Sequence, residues 1–317
     1  MVKWENKQLK QMIRQVKNGF LPQSLLFIGP EGTGKFSTLV ELIGEINNLS
    51  EREKELVREG ALADLVLLQV KDIQAGKFKY CEKGKSDRDM ASGKIKKEIL
   101  DCVVKKIILK NFQFPKKILI IRDANKLTLQ ASNSLLKLIE EPYDDLLIFL
   151  LVNNENEILS TIRSRCQRIY FYFLSDTSLQ ERIKEEFPEL KSDQLQKVVE
   201  LSYGRIELAR RYALKPEELN EAIAWRDEFR KALRKGNVER FALVDKLVDK
   251  EVDLLWVLNE WVWYLKNFLE ENIKAGASKA VLAKVYDILD KLLDLRWVIK
   301  TTNVNKRFQL ENFFVQI

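Results

Sequence analysis

Residues 29–36 read Gly-Pro-Glu-Gly-Thr-Gly-Lys-Phe, between the apolar run Ser24–Ile28 and a stretch at 35–47 whose Leu39, Leu42, Ile43 and Ile46 recur at helical spacing. A strand, a glycine loop and a helix in that order demand a buried strand that turns sharply, so that successive backbone N–H groups face one anion. Gly29, Gly32 and Gly34 supply the backbone freedom, and Lys35 supplies a point charge for outer phosphates. The position after the lysine calls for a Ser or Thr oxygen to help hold Mg²⁺. Phe36 has none, so the loop keeps an anion cradle and drops a metal contact.

The chain has 317 residues, long enough for two or three domains with separate cores. No apolar run reaches the roughly 20 residues that span a bilayer, and residues 1–6 carry no apolar signal core, so a cytoplasmic location is expected. The absence of histidine removes Ser-His and Cys-His nucleophile systems together with His-ligated metals. Cys81, Cys102 and Cys166 lack C-x-x-C spacing, which fits a reduced compartment and no structural metal site. The net charge is +7, but residues 71–117 hold 14 Lys and Arg against 6 Asp and Glu. Such a surplus suits an anionic partner such as DNA, and equally a solvated lysine-rich face.

Further apolar runs predict strands at 65–70, 118–121, 146–152 and 169–174, with helices over 95–109 and from a Thr128 N-cap to Glu141. Residues 76–93 are polar and read as a loop. Alternating strands and helices predict an α/β fold with a parallel sheet. After Ser175 strand signals vanish, which places a boundary near 174. Helices then run to the end, first over 177–212, then beyond Pro216, with long ones from 254 and around 281–299. Trp256, Trp261 and Trp263 suit a core or subunit interface better than a ligand cage.

A phosphate loop needs a partner strand ending in acidic residues, one for the metal and one for the attacking water. The candidate strand at 118–121 is followed by Arg122, then by Asp123. Two positions around one ion, 36 and 122, therefore hold residues that cannot coordinate it. Arg122 reads either as a salt-bridged strand-end residue or as a guanidinium standing where the metal would.

The segments GPEGTGK, LTLQASNSLLKLIEEP and STIRSRCQRIYF together resemble the clamp-loader branch of the AAA+ ATPases, and within it the delta-prime subunits of bacterial DNA polymerase III. The likeness is dense over about 20–175 and looser beyond. It implies a RecA-like AAA+ domain (1–174), a small helical lid (175–214) and an all-α collar (215–317) that joins a hetero-pentameric ring with ATPase subunits and a delta subunit. It implies that Arg165, between Ser164 and Cys166, is an arginine finger acting in trans on a neighbour's ATP. Asn153 falls at the sensor position of the fourth strand. Leu208 falls where the second-sensor helix, opened by Gly204-Arg205-Ile206, usually bears arginine, although Arg205, Arg210 and Arg211 are near. The cysteine-bearing zinc module of many relatives has no counterpart at 45–64, so no zinc is expected, and ATP or ADP is not required. Cys166, with no base beside it, suits packing.

With degenerate Walker positions at Phe36, Arg122 and Asp123, the resemblance implies a non-hydrolysing subunit of the polymerase III clamp loader. Such a subunit would help load the sliding clamp on primer-template DNA. The competing reading is an active AAA+ ATPase, either the motor subunit of a clamp loader or a related replication enzyme.

Overall fold

The computed structural model describes residues 22–62, 64–75, 93–108, 116–143, 146–249 and 251–317. The N-terminal residues, Cys81 and most of the loop expected at 76–93 lie outside them. The chain divides into two compact units, Met1–Phe173 and Leu174–Ile317.

In the first unit five parallel strands, β1 (Ser24–Ile28), β2 (Leu65–Leu68), β3 (Lys117–Ile121), β4 (Leu146–Val152) and β5 (Gln167–Tyr170), pair in the order β2-β3-β4-β1-β5. The predicted run at 65–70 ends at Leu68, because Val70 opens a short helix. The fifth strand sits two residues earlier than its apolar run suggests, since pairing with β1 sets its register, with Leu25 opposite Gln167 and Ile28 opposite Tyr170.

Side-chain parity divides the sheet. Leu26 and Ile28, Val66 and Leu68, Leu119 and Ile121, and alternate residues of β4 from Leu146 to Val152 face one layer. Helices α4 (Lys97–Ile108) and α5 (Leu129–Glu140) cover that layer with Ile99, Val103, Leu135 and Ile139. Leu25, Phe27, Leu65, Ile118, Phe149 and Ile169 face the other layer, covered by α1 (Lys35–Asn47) and α2 (Glu51–Glu59) through Leu39, Ile43 and Val57. Burial on both faces explains the unbroken apolar runs of the strands. The short helices α3 (Val70–Gln74) and α6 (Ser160–Arg163) follow β2 and precede β5. Thr128 caps α5 by accepting from the Ala131 N–H, and Ser50 and Glu53 form a reciprocal cap on α2. Cys102 of α4 is disulfide-bonded, which the expectation of a reduced compartment does not account for. Pairing depends on approach in space, which sequence spacing does not carry.

The second unit is all helical. Helices α7 (Asp176–Glu186), α8 (Ser192–Ser202) and α9 (Ile206–Leu214) enclose Leu179, Ile183, Val198, Ala209 and Tyr212. The long α10 (Pro216–Arg234) contributes Leu219 to that cluster. Its later turns give Phe229 to a second one, built by α11 (Asn237–Leu247), α12 (Leu254–Lys274), α13 (Lys279–Thr301) and α14 (Lys306–Gln316). Trp261 is the centre of this second cluster, stacked on Phe229 at 4.3 Å between ring centroids, its indole N–H donating to the Trp225 carbonyl at 3.1 Å. Trp256 packs against both clusters. No helix of the described residues is long and apolar enough to cross a membrane.

At the start of α9 the chain passes through left-handed Tyr203 and Gly204, and Arg205 turns inward. Its guanidinium lies 4.3 Å over the Trp263 ring and 3.9 Å from the Glu260 carboxylate, which is itself buried. Burial lifts Glu260 above the usual carboxylate range and lowers Arg205, the partner charge opposing it in each case. Glu260→Ala is expected to destabilise this unit by about 3–5 kcal/mol, because a buried guanidinium loses its counter-charge. Urea unfolding of the full chain measures it.

Candidate nucleotide site and arginine motif

The loop leaving β1 is shaped by contacts that tolerate only glycine at its first position. A Cβ on Gly29 would stand 2.2 Å from the Phe171 carbonyl oxygen, well inside contact distance. Gly32 and Gly34 both have φ of 84°, and Gly34 forms the N-terminal boundary of α1. The Thr33 hydroxyl donates to the Pro30 carbonyl at 2.7 Å.

Lys35 is buried and folds back across its own loop. Its Nζ donates to the Gly29 carbonyl, to the Pro30 carbonyl at 2.7 Å, and to Asn153 Oδ1 at 3.4 Å. The structure thus brings the lysine together with the residue at the sensor position, which follows β4. The ammonium that would meet a phosphate is engaged by carbonyl oxygens of the loop itself.

Phe36 points into the apolar layer under α1. The Arg122 guanidinium lies 4.4 Å from its ring centroid and donates to Gln69 Oε1 at 3.4 Å. The two positions that lack a metal ligand therefore pair with each other as cation and aromatic face, an attraction of about 0.5–2 kcal/mol. Arg122 forms no ion pair among the described residues. Asp123 turns away to α3, accepting the Val70 N–H on Oδ2 at 2.8 Å. A hydrated Mg²⁺ needs oxygen ligands in near-octahedral array. An aromatic ring and a guanidinium at these positions do not fit that ion.

The arginine motif lies beyond α6. Cys166 is buried with Ile158 and Ile162, and burial pushes its thiol up to about 12. The turn is closed by the Ser164 N–H on the Ser160 carbonyl at 2.9 Å and the Arg165 N–H on the Ile162 carbonyl at 3.0 Å. With Cys166 anchored inward, Arg165 emerges at the surface. Its Nε pairs with Glu140 Oε1 at 2.8 Å, and its Nη1 donates to the Thr161 carbonyl at 3.2 Å and the Ser164 hydroxyl at 3.4 Å. Arg163 and Arg168 turn to another carboxylate segment: Arg163 donates to the Glu155 carbonyl at 3.3 Å, and Arg168 stands 3.7 Å from the Glu155 side chain.

In the second unit the arginines around Leu208 are all engaged within that unit, Arg205 with Glu260 as described above. Arg210 grips Glu186 with two bonds of 2.7 and 2.6 Å, and Arg211 pairs with Glu218 at 2.8 Å. Leu208 packs against the α7–α9 cluster. Sequence reasoning gives no role to Glu140 or Gln69. Glu140 is visible in the run Ile139-Glu140-Glu141-Pro142, yet only the fold shows which arginine it meets.

A parallel sheet in this strand order, with a glycine loop between β1 and α1 and a helical unit following in sequence, is a RecA-like AAA+ fold. The fold is shared with a DNA polymerase III gamma subunit-related protein from Thermotoga maritima, at a TM-score of 0.51 and 15% identity over 98% of both chains. The family described as DNA polymerase III, delta subunit, matches residues 4–175, more than half of the chain, and the chain belongs to that family. DNA polymerase III subunit delta′ of Bacillus subtilis (strain 168) is 26% identical over 186 residues, covering 56% of this chain and 50% of that protein. The delta′ subunit of Pseudomonas aeruginosa is 26% identical over 216 residues, covering 63% of this chain and 65% of that one. Each of these matches spans less than two thirds of the relative's own length.

The buried, protonated Cys166 is expected to resist iodoacetamide at pH 7–8 in the folded chain and to react at once in urea. Mass spectrometry of the alkylated peptide reads this.

Proposed function

We propose that the chain is a non-hydrolysing subunit of a clamp loader, assembling with ATPase subunits and supplying Arg165 to the ATP bound by a neighbour. The observation that carries this reading is the contrast between two arginines. Arg122 is stacked on Phe36 at the chain's own metal position, while Arg165 stands at the surface on an exposed ion pair. Exposed pairs are worth only about 0–1 kcal/mol, so the guanidinium stays available to a phosphate oxygen offered by another subunit. A guanidinium delivered in trans to a transferring phosphoryl group typically contributes about 10³–10⁵ in rate.

On this reading nucleotide is not required by the chain itself, and Lys35 keeps the loop closed on its own carbonyls. The helical residues 175–214 would act as a lid and 215–317 as a collar within a ring that includes a delta subunit. The ring would load the sliding clamp on primer-template DNA. A basic surface suited to phosphates lies where the first turns of α4 and α5 are tied side by side. The Ile95 N–H donates to the Lys126 carbonyl at 2.8 Å, and the Thr128 N–H donates to the Ile95 carbonyl at 3.0 Å. Lys94, Lys97 and Lys126 are exposed around that tie. Contacts of this kind are non-specific and salt-sensitive.

Arg165→Ala is expected to lower ATP turnover by the reconstituted complex by at least about 10²-fold while leaving assembly intact, the range set by loss of a trans guanidinium. Unchanged turnover would remove the finger role. The isolated chain is expected to hydrolyse no ATP above background; metal-dependent turnover at an ordinary rate would favour the active-ATPase reading instead. The double variant Phe36→Thr, Arg122→Asp tests the same point from the other side. ATPase activity gained by the isolated double variant would show that only the metal ligands were lacking.

A further inference from the structure

We infer that Glu140 is a positioning residue for Arg165, holding the guanidinium by one edge so that a single amino group is left to meet phosphate. This inference rests on the finger reading above and deepens it. The geometry is one-sided. Glu140 Oε1 takes the Nε edge at 2.8 Å, while the Thr161 carbonyl and Ser164 hydroxyl take Nη1 at 3.2 and 3.4 Å. Among the described residues nothing bonds Nη2, and Arg165 has no other partner there.

Each of the holding groups is itself fixed. Glu140 is the last residue of α5, whose Leu138 and Ile139 are buried in the sheet layer and whose end is set by Pro142. Thr161 lies on α6, next to buried Ile162 and ahead of the turn that Cys166 anchors in the same layer. Arg165 is thus flanked by buried Cys166, and its head is fastened to two elements of one core. An arginine has about 2 kcal/mol of rotamer freedom to lose when it docks, and less is lost when its head is already held. Orientation of this kind acts on the chemical step more than on substrate binding, since the group it orients contacts charge that develops during transfer.

A carboxylate so near the finger has two opposite possible effects, and they predict opposite results. If Glu140 positions Arg165, its removal slows the neighbour's reaction. If it merely competes for the guanidinium, its removal speeds the reaction. The one-edge geometry favours positioning, because the pair uses Nε and leaves the distal amino group uncovered.

The test is ATP turnover by the reconstituted complex carrying wild-type chain, Glu140→Ala, Glu140→Gln, Arg165→Ala or the double variant Glu140→Ala, Arg165→Ala. Glu140→Ala is expected to lower kcat about two- to five-fold with KM for ATP unchanged, the size expected for one exposed pair. Glu140→Gln, which keeps an oxygen acceptor at the same reach, is expected to restore most of it. In the Arg165→Ala background, removal of Glu140 is expected to have no further effect. Unchanged or raised kcat in Glu140→Ala, beside a clear loss in Arg165→Ala, overturns the positioning role and leaves the finger standing. A further loss in the double variant also overturns it, since Glu140 would then act through the fold. Unchanged turnover in Arg165→Ala overturns the finger reading, and this inference falls with it.

Discussion

The guanidinium of Arg122 lying over the ring of Phe36 is the contact on which the rest of the molecule's chemistry turns. Either residue alone is a substitution at a metal position. Together they form one arrangement: the ring closes the apolar layer beneath α1, and the cation caps it from the end of β3. A divalent ion could not displace this pair without exposing an aromatic face and placing positive charge beside positive charge. Asp123, the carboxylate nearest to that place in sequence, is turned to the backbone of α3.

The same sheet carries a second arginine with the opposite treatment. Arg165 follows a turn fixed from inside by Cys166, and its contacts are made at the surface with Glu140, Thr161 and Ser164. On the proposed reading the chain's contribution to ATP chemistry is made outward, toward a neighbour. Burial draws that division: one cation is held in place by packing and the other by a pair that water screens.

The fold was largely legible because its signals are local. Apolar runs at 24–28, 118–121 and 146–152 can only be strands buried on both faces, and Thr128 and Pro142 bracket α5 as capping chemistry dictates. What escaped depends on approach in space. Arg122 and Phe36 read as two unrelated losses, although they touch. Arg205 reads as part of a glycine-led helix start, yet it is buried against Glu260 and Trp263 from a helix far along the chain. The end of β5 was misjudged because Phe171, Tyr172 and Phe173 are as apolar as a strand, whereas β1 ends at Ile28, whose carbonyl takes the Phe171 N–H at 2.7 Å. Cys102 carries no spacing signal for its disulfide.

Lys35 is bonded to the carbonyls of its own loop and to Asn153, so the cradle holds its shape by internal bonds. A fold stabilised by a bound adenylate inherits the fluctuations of that adenylate's concentration through mass action. A loop closed on itself does not. On the proposed reading, which requires no nucleotide in this chain, resistance to unfolding would not follow the energy charge of the cell.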